Sequence, residues 1–412
     1  MFDNLITMRK FFSFITIFVS LISNIYSQQS AYDFFILAEN ASKNNNCKQA
    51  IIYYDKAIAL NKFYYDAYLA KAKCYITLNN KNEAMNQINQ VLTMKKDFAP
   101  ALFMRAEYYY NDKMYKETIN DLIDVISQNK YFYPAHSLLV EAYISLKDYD
   151  NALNEINFLI SEQSTEYKYL LKRALIYKNL NQYDNALKDC NNLINKGKLI
   201  GEAYCLKGDI NLELMKNNEA FTDYTNAINH NFYTREMLIT YLNMAMKDNK
   251  LPEAQQALEL LINNYEEKNA FYHMLLGKIY IDQKIYESAI NTLNIAISLR
   301  PNYDTAYVYR AMAKRFINKN PLNDIRRAIY LNSKNSLAYE ELGIYYIDKK
   351  LYSQALENLN NAIKLNPSGR AYYYRAIVWD LNGDRTSACA DLQQSINLGY
   401  LEAKTSYDKI CH

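Results

Sequence analysis

The sequence has very little glycine and proline. Its 412 residues include only 8 Gly and 6 Pro. Tight turns depend on these two residue types, so their scarcity excludes a β protein with many turns and favours helices. It also excludes a glycine-rich loop of the kind that holds nucleotide phosphates.

Charge of one sign and metal-binding side chains are also scarce. The net charge is only +3, with basic and acidic residues interspersed, which excludes the basic footprint of a nucleic-acid-binding protein. The four histidines (His136, His230, His273 and His412) are scattered and show no metal-binding spacing. We therefore predict a protein that is not an enzyme and that needs no cofactor or metal.

The N-terminus has the pattern of an export signal. The basic pair Arg9-Lys10 precedes an apolar run, FFSFITIFVSLI at 11–22, and Ser27 offers a small residue for cleavage. This run is too short to cross a bilayer, which takes about 20 residues. The pattern predicts a signal peptide over 1–27, no integral membrane span in the mature chain, and a periplasmic or outer-surface location. An uncleaved anchor is the alternative.

Small side chains recur along the chain with a period of 34 residues from residue 31 onwards. Such side chains allow two antiparallel helices to approach closely and the next helix pair to stack on them. They mark the start of a second helix in successive repeats, at Ala50, Ala84, Thr118, Ala152, Ala186, Ala220 and Ala254, and later at Ala289, Ala355 and Ala388.

Two segments show the repeat almost in full: LGKIYIDQKIYESAINTLNIAISLRP at 276–301 and LGIYYIDKKLYSQALENLNNAIKLNP at 342–367. They resemble the tetratricopeptide repeat. The resemblance implies an all-α fold, an α-solenoid in which about eleven helix hairpins over 28–400 form a right-handed superhelix. A capping helix at 401–412 closes it. The repeat at 235–267 is the weakest, because bulky Leu242 occupies a small-residue site, and is our candidate for a flexible joint.

Basic residues at the seventh position of several repeats are followed sixteen residues later by aspartate on the second helix. We predict that these residues form structural ion pairs between the two helices rather than a site for an anionic ligand. Lys71 is the exception, because Gln87 takes the aspartate position. The pairs are Arg105 with Asp121, Arg173 with Asp189, Lys207 with Asp223, Arg375 with Asp391 and, in a repeat two residues shorter, Arg310 with Asp324.

The six cysteines fall into three pairs when they are converted to repeat positions. Each pair places one cysteine on a second helix and the other on the helix that follows in the next unit. In an exported protein such pairs predict disulfides, and the alternative is that each is a small buried core residue. The stretch from SACADLQQSINLG to the last cysteine also resembles the terminal unit of exported bacterial members of the family. The pairs are Cys47 with Cys74, Cys190 with Cys205 and Cys389 with Cys411.

By the same resemblance, the first helices line a concave groove through positions 2, 5, 9 and 12 of each repeat. Aromatic and Met side chains flanked by charge there suit an extended peptide or a partner helix. We predict a scaffold for protein partners, with glycan binding as the alternative. The groove candidates are Tyr32, Phe35, Phe103, Tyr110, Phe271, Met274, Met312 and Arg315, and the lining also includes Glu39 and Glu107.

Overall fold

The computed structural model describes residues 30–411, and all regular secondary structure within that range is helical. The predicted all-α solenoid class is therefore confirmed. The predicted signal peptide at 1–27 lies outside the described residues. None of the helices between Ser30 and Cys411 combines the length and the apolar character that crossing a bilayer requires.

The chain divides into two compact units between Ile210 and Asn211. The first unit contains α1 (Ala31–Lys43), α2 (Cys47–Leu60), α3 (Tyr65–Thr77), α4 (Lys81–Met94), α5 (Ala99–Asn111), α6 (Tyr115–Gln128), α7 (Tyr133–Ser145), α8 (Tyr149–Glu162), α9 (Tyr167–Asn179) and α10 (Tyr183–Asn195), while α11 (Ile200–Glu213) runs across the division.

The second unit continues the same alternation of first and second helices and ends in a single helix at the predicted capping position. Its helices are α12 (Asn217–Asn229), α13 (Arg235–Lys247), α14 (Leu251–Asn264), α15 (Ala270–Asp282), α16 (Tyr286–Leu299), α17 (Asp304–Phe316), α18 (Leu322–Leu331), α19 (Ser336–Asp348), α20 (Tyr352–Leu365), α21 (Gly369–Leu381), α22 (Arg385–Asn397) and α23 (Glu402–Cys411).

The turn inside each hairpin is closed by a residue in the left-handed backbone region. Asn79, with φ of 57°, follows the end of α3, and its N–H donates to the Ile76 carbonyl at 2.9 Å. The Asn80 N–H donates to the Tyr75 carbonyl at 2.8 Å. These bonds satisfy the last carbonyls of the helix, and asparagine tolerates the left-handed conformation better than most residues. The turns thus rely on asparagine and lysine where glycine is scarce.

The small residues hold the two helices of a hairpin close together. Ala50 and Ala152 are fully buried. A methyl group added at Gly343 would lie only 2.6 Å from Leu359 Cγ, so a larger residue requires the Leu359 side chain or α20 to shift. The helix contact predicted from the period of 34 is therefore present in the structure.

The repeat at 235–267 is packed around bulky residues. Leu242 is buried, and the Tyr241 ring stacks on Phe221 with centroids 4.6 Å apart. The Tyr241 hydroxyl lies 3.0 Å from Thr225 Oγ1. The division between the two units falls in α11, outside this repeat, and the flexible joint stays a prediction.

Candidate functional site

A concave pocket of about 800 Å³ opens in the first unit. It is formed by the first helices of three successive repeats (α1, α3 and α5) together with the end of α6 and the turn that follows. The structure thereby brings together Phe35 and Phe103, two of the predicted groove residues, with Glu39 and Glu107 of the predicted lining.

The walls of the pocket are aromatic. The Phe35 ring packs against Tyr64 and Tyr54, with centroids 4.9 Å and 5.8 Å apart. Phe103 meets Phe132 edge to face at 5.1 Å. Both Phe35 and Phe103 stay partly exposed, so the rings are held in place from behind and still offer apolar surface to a ligand.

The pocket carries an excess of negative charge. Three carboxylates, from Glu39, Asp66 and Glu107, share it with one ammonium group, that of Lys73. Although the Glu107 side chain is accessible from the pocket, partial burial by the surrounding walls raises the pKa of its carboxyl, and Lys73 offsets part of that increase. The site is thus an apolar cavity with carboxylates at accessible positions.

Glu39 is fixed in place by a neighbouring helix. Its Oε1 accepts a hydrogen bond of 2.6 Å from the Tyr54 hydroxyl on α2. Burial raises the pKa of Tyr54, and the hydrogen bond to Glu39 raises it further, so the tyrosine remains a neutral donor. The second oxygen of Glu39 keeps its capacity to accept a hydrogen bond.

The other predicted groove residues are not part of this pocket. Tyr32 and Phe271 are exposed outside its lining, and Tyr110 packs on Tyr115 with centroids 5.6 Å apart. Met274 is buried in a hydrophobic cluster, and Met312 packs against the same cluster. Met274 is thereby covered, whereas Met312 remains partly exposed and stays a predicted groove residue.

Arg315 was also predicted as a groove residue and is instead held in a buried ionic network. Its Nε donates to Glu341 Oε2 at 3.2 Å, and Glu341 is only 1% exposed. Arg370 donates to Glu341 and, at 2.7 Å, to Glu340. Burial lowers the pKa of Arg370, but the two carboxylates raise it more, so it stays protonated. Sequence reasoning missed this network, since its members lie on three different first helices.

Four of the five predicted ion pairs are joined in the structure, each by two parallel hydrogen bonds of 2.6–2.9 Å between guanidinium and carboxylate. The fifth, Lys207 with Asp223, has its members on either side of the division between the units and stays a prediction. Such forked pairing fixes both distance and orientation. The joined pairs are Arg105 with Asp121, Arg173 with Asp189, Arg310 with Asp324 and Arg375 with Asp391.

The seventh position also reaches back to the preceding repeat, which the sequence analysis missed. The Arg173 guanidinium donates to Asn157, sixteen residues earlier, at 3.0 Å, and Arg375 donates to Asn360 at 2.6 Å. Lys71 pairs with Asp55 at 2.6 Å, so its partner lies on the preceding second helix and not at Gln87. Asn or Asp recurring fifteen or sixteen residues before the basic position was the available signal.

Family models of the tetratricopeptide repeat match residues 65–98, 168–196, 272–303 and 340–396. The chain is a tetratricopeptide repeat protein. Proteins of this family are generally scaffolds for protein–protein interaction and are typically not catalytic. No curated protein matches the chain.

Several solved structures are similar to this tetratricopeptide repeat protein at low identity. A tetratricopeptide repeat protein of Parabacteroides merdae is 20% identical over 52% of this chain and 84% of its own, with a TM-score of 0.36. A thermophilic one from Thermus thermophilus is 12% identical over 43% and 99%, with a TM-score of 0.39. Yeast Tom70 is 15% identical over 92% and 95%, with a TM-score of 0.32.

Two of the four histidines, His136 and His273, lie in the core of their repeats and make polar contacts. His136 and His273 are buried, and each places Nε2 near the carbonyl six residues earlier, at 2.9 Å and 2.8 Å. His136 Nδ1 also lies 2.6 Å from the Glu155 carboxylate. Among residues 30–411, no group of three or more His, Cys, Asp or Glu is placed to hold a metal ion.

One of the three predicted disulfides is present within the described residues of the tetratricopeptide repeat protein. Cys389 on α22 is bonded to Cys411 on α23, with Cα atoms 5.8 Å apart. The bond predicted between Cys190 and Cys205 is absent there, and Cys205 is a buried thiol. Burial raises the pKa of that thiol to about 12.

The third predicted pair is a buried dithiol. Cys47 and Cys74 belong to one hydrophobic cluster, and the Cys74 thiol donates a hydrogen bond to Ser42 Oγ at 3.6 Å. Burial raises the pKa of Cys74 to about 11, and the neighbouring Cys47 adds to the increase. Both cysteines therefore take the alternative role of small buried core residues.

Proposed function

We propose that this chain is an exported scaffold that binds an extended segment of a partner protein in the pocket of its first unit. The observation that carries the proposal is the meeting of Phe35, Phe103, Glu39 and Glu107 in one cavity across three repeats. A pocket with apolar walls and a few accessible polar groups is the usual form of a recognition site.

The chemistry of the pocket suits a peptide. Burying one apolar side chain of a ligand against Phe35 or Phe103 contributes about 1.5–3 kcal/mol. The rings are already held by Tyr64 and Phe132, so little ordering cost is expected on binding. Carboxylates beside the rings can accept hydrogen bonds from the backbone N–H groups or side chains of an extended chain.

Site-specific photo-crosslinking in the native host tests this assignment. A benzoylphenylalanine at Phe103 is expected to give discrete, protease-sensitive adducts with a partner protein, because the ring borders the pocket. The matched control carries the same group at Ile123, an exposed position on α6 of the same repeat that lies outside the pocket lining.

The comparison between these two positions decides the result. Adducts at Phe103 that are absent at Ile123 support the groove as the binding surface. Equal labelling at both positions, or an adduct at Phe103 that resists protease and is removed by glycosidases, contradicts the proposal and in the second case favours a glycan.

We also propose export of the chain. The basic pair and apolar run before Ser27 support it, and so does the Cys389–Cys411 bond, since disulfides persist mainly in oxidising compartments. A fusion of residues 1–30 to a reporter that is active only outside the cytoplasm is expected to give signal, with the mature N-terminus near Gln28. Recovery of soluble protein with its first residues intact would refute cleavage and export.

A further inference from the structure

We propose that the pocket of the first unit selects a partner segment bearing a lysine or arginine side chain beside an apolar one. This inference rests on the function proposed above for the same pocket. Its basis is charge complementarity inside an apolar cavity, where three carboxylates face one ammonium group.

The arrangement of ring and carboxylate is repeated in the pocket. Phe35 and Glu39 are four residues apart on α1, and Phe103 and Glu107 are four residues apart on α5. Residues at this spacing lie on the same face of a helix, one turn apart. Each helix therefore offers an aromatic ring next to a negatively charged carboxylate.

This pairing matches the shape of a basic side chain. Lysine and arginine carry an apolar stem that packs on hydrophobic surface while the charged end reaches a polar group. A stem lying over Phe103 would bring its cation to Glu107, and a cation close to the ring face gains a further attraction from the ring itself.

Glu107 is available for such a contact. It makes no hydrogen bond or ion pair with any residue between Ser30 and Cys411, and it is accessible from the pocket. This distinguishes it from Asp121 of the same repeat, which is buried and already bonded to Arg105. Glu107 has an electrostatic interaction with Lys73 but no hydrogen bond to it, so its carboxylate can still bond a cation from the ligand.

Lys73 does not reverse this preference. It lies on α3, between the two helices that carry the ring and carboxylate pairs, and neutralises one of the three negative charges. An acidic segment would meet the remaining two at close range, which disfavours it. The pocket is therefore expected to discriminate by charge as well as by apolar contact.

Selection from a random heptapeptide library displayed on phage tests the proposal with the full chain. Each retained peptide is then tested for binding to the Phe103→Ala variant. The peptides that no longer bind this variant are expected to be enriched in lysine and arginine. Circular dichroism checks that the variant is folded, and Phe103→Leu replaces it if it is not.

Synthetic copies of the retained peptides then isolate the charge. Replacing the selected lysine by norleucine is expected to weaken binding about tenfold, the effect of one charge-assisted hydrogen bond. In Glu107→Gln the same replacement is expected to make little difference. Glu117→Gln, an exposed carboxylate on α6 outside the pocket lining, is the matched control and should behave as the wild type.

The outcomes distinguish this proposal from the proposed binding of a partner segment in the same pocket. The charge selection is wrong if peptides that depend on Phe103 show no enrichment in lysine and arginine, or if they bind equally well with norleucine. Either result would still support peptide binding in the pocket. Failure to recover any peptide that depends on Phe103 contradicts both.

Discussion

Replacing Arg375 by alanine is expected to lower the free energy of unfolding of the second unit by about 3–5 kcal/mol. In the intact protein both oxygens of Asp391 accept hydrogen bonds of 2.7 Å from the guanidinium. Asp391 is only 6% exposed, so its carboxylate depends on these donors in place of water. The cost arises from a carboxylate left charged and unpaired between two helices. Urea unfolding followed by circular dichroism measures it.

Two variants show that the loss comes from the stranded charge. Arg375→Met combined with Asp391→Leu is expected to recover much of the stability, because no buried charge then remains. Asn360→Ala removes only the contact to the preceding repeat and should cost about 1 kcal/mol.

Partner binding gives an independent readout. The proposed pocket lies in the first unit, while Arg375 lies in the second. The Arg375→Ala variant should therefore still bind the partner protein at temperatures where the variant remains folded. Loss of binding with an unchanged unfolding curve would contradict the structural role of this arginine.

The paired arginines could be predicted because the repeat fixes which residues of one hairpin face each other. When the repeat at 304–335 shortens by two residues, the spacing from Arg310 to Asp324 shortens with it, and the bond is kept. The backward contact of Arg375 to Asn360 was missed, since it depends on how consecutive hairpins stack, which the spacing within one hairpin does not determine.

The groove was only partly predictable for a related reason. A given repeat position faces a pocket in one hairpin and the core in another, depending on the neighbouring side chains. Phe103 borders an open cavity, whereas Met274 is covered and Arg315 is drawn to Glu341. The cysteine pattern did not determine which sulfurs meet. Cys74 has Ser42 as a hydrogen-bond partner, while Cys389 and Cys411 are close enough to bond.

The bond between Cys389 and Cys411 leads to the second large expected effect. Replacing both cysteines by serine is expected to destabilise the C-terminal end by about 3 kcal/mol, the entropic contribution of a loop of this size. The bond closes a sequence separation of 22 residues. It joins α22 to α23, which packs on the hairpin before it.

The loss should be confined to that end. Ala403 of α23 is buried with Ala376 and Leu392, and it is the one buried residue of this short helix. In stacked repeats, the free energy of unfolding is a sum of terms for single repeats and for contacts between neighbouring repeats. The effect of a weakened terminal contact is therefore local. Hydrogen exchange should therefore rise in 402–411 and the adjoining face of α22, while α13 to α16 keep their protection.

Non-reducing peptide mapping and hydrogen exchange together test this effect. Mapping of the native protein should find the link between Cys389 and Cys411, and reductant should reproduce the exchange pattern of the double serine variant. Cys205→Ser gives a matched control, because this cysteine is a buried thiol and its replacement should leave the exchange of α23 unchanged. Loosening spread evenly over all helices, or a native protein in which Cys389 and Cys411 both react as thiols, would show that the terminal bond does not hold the capping helix.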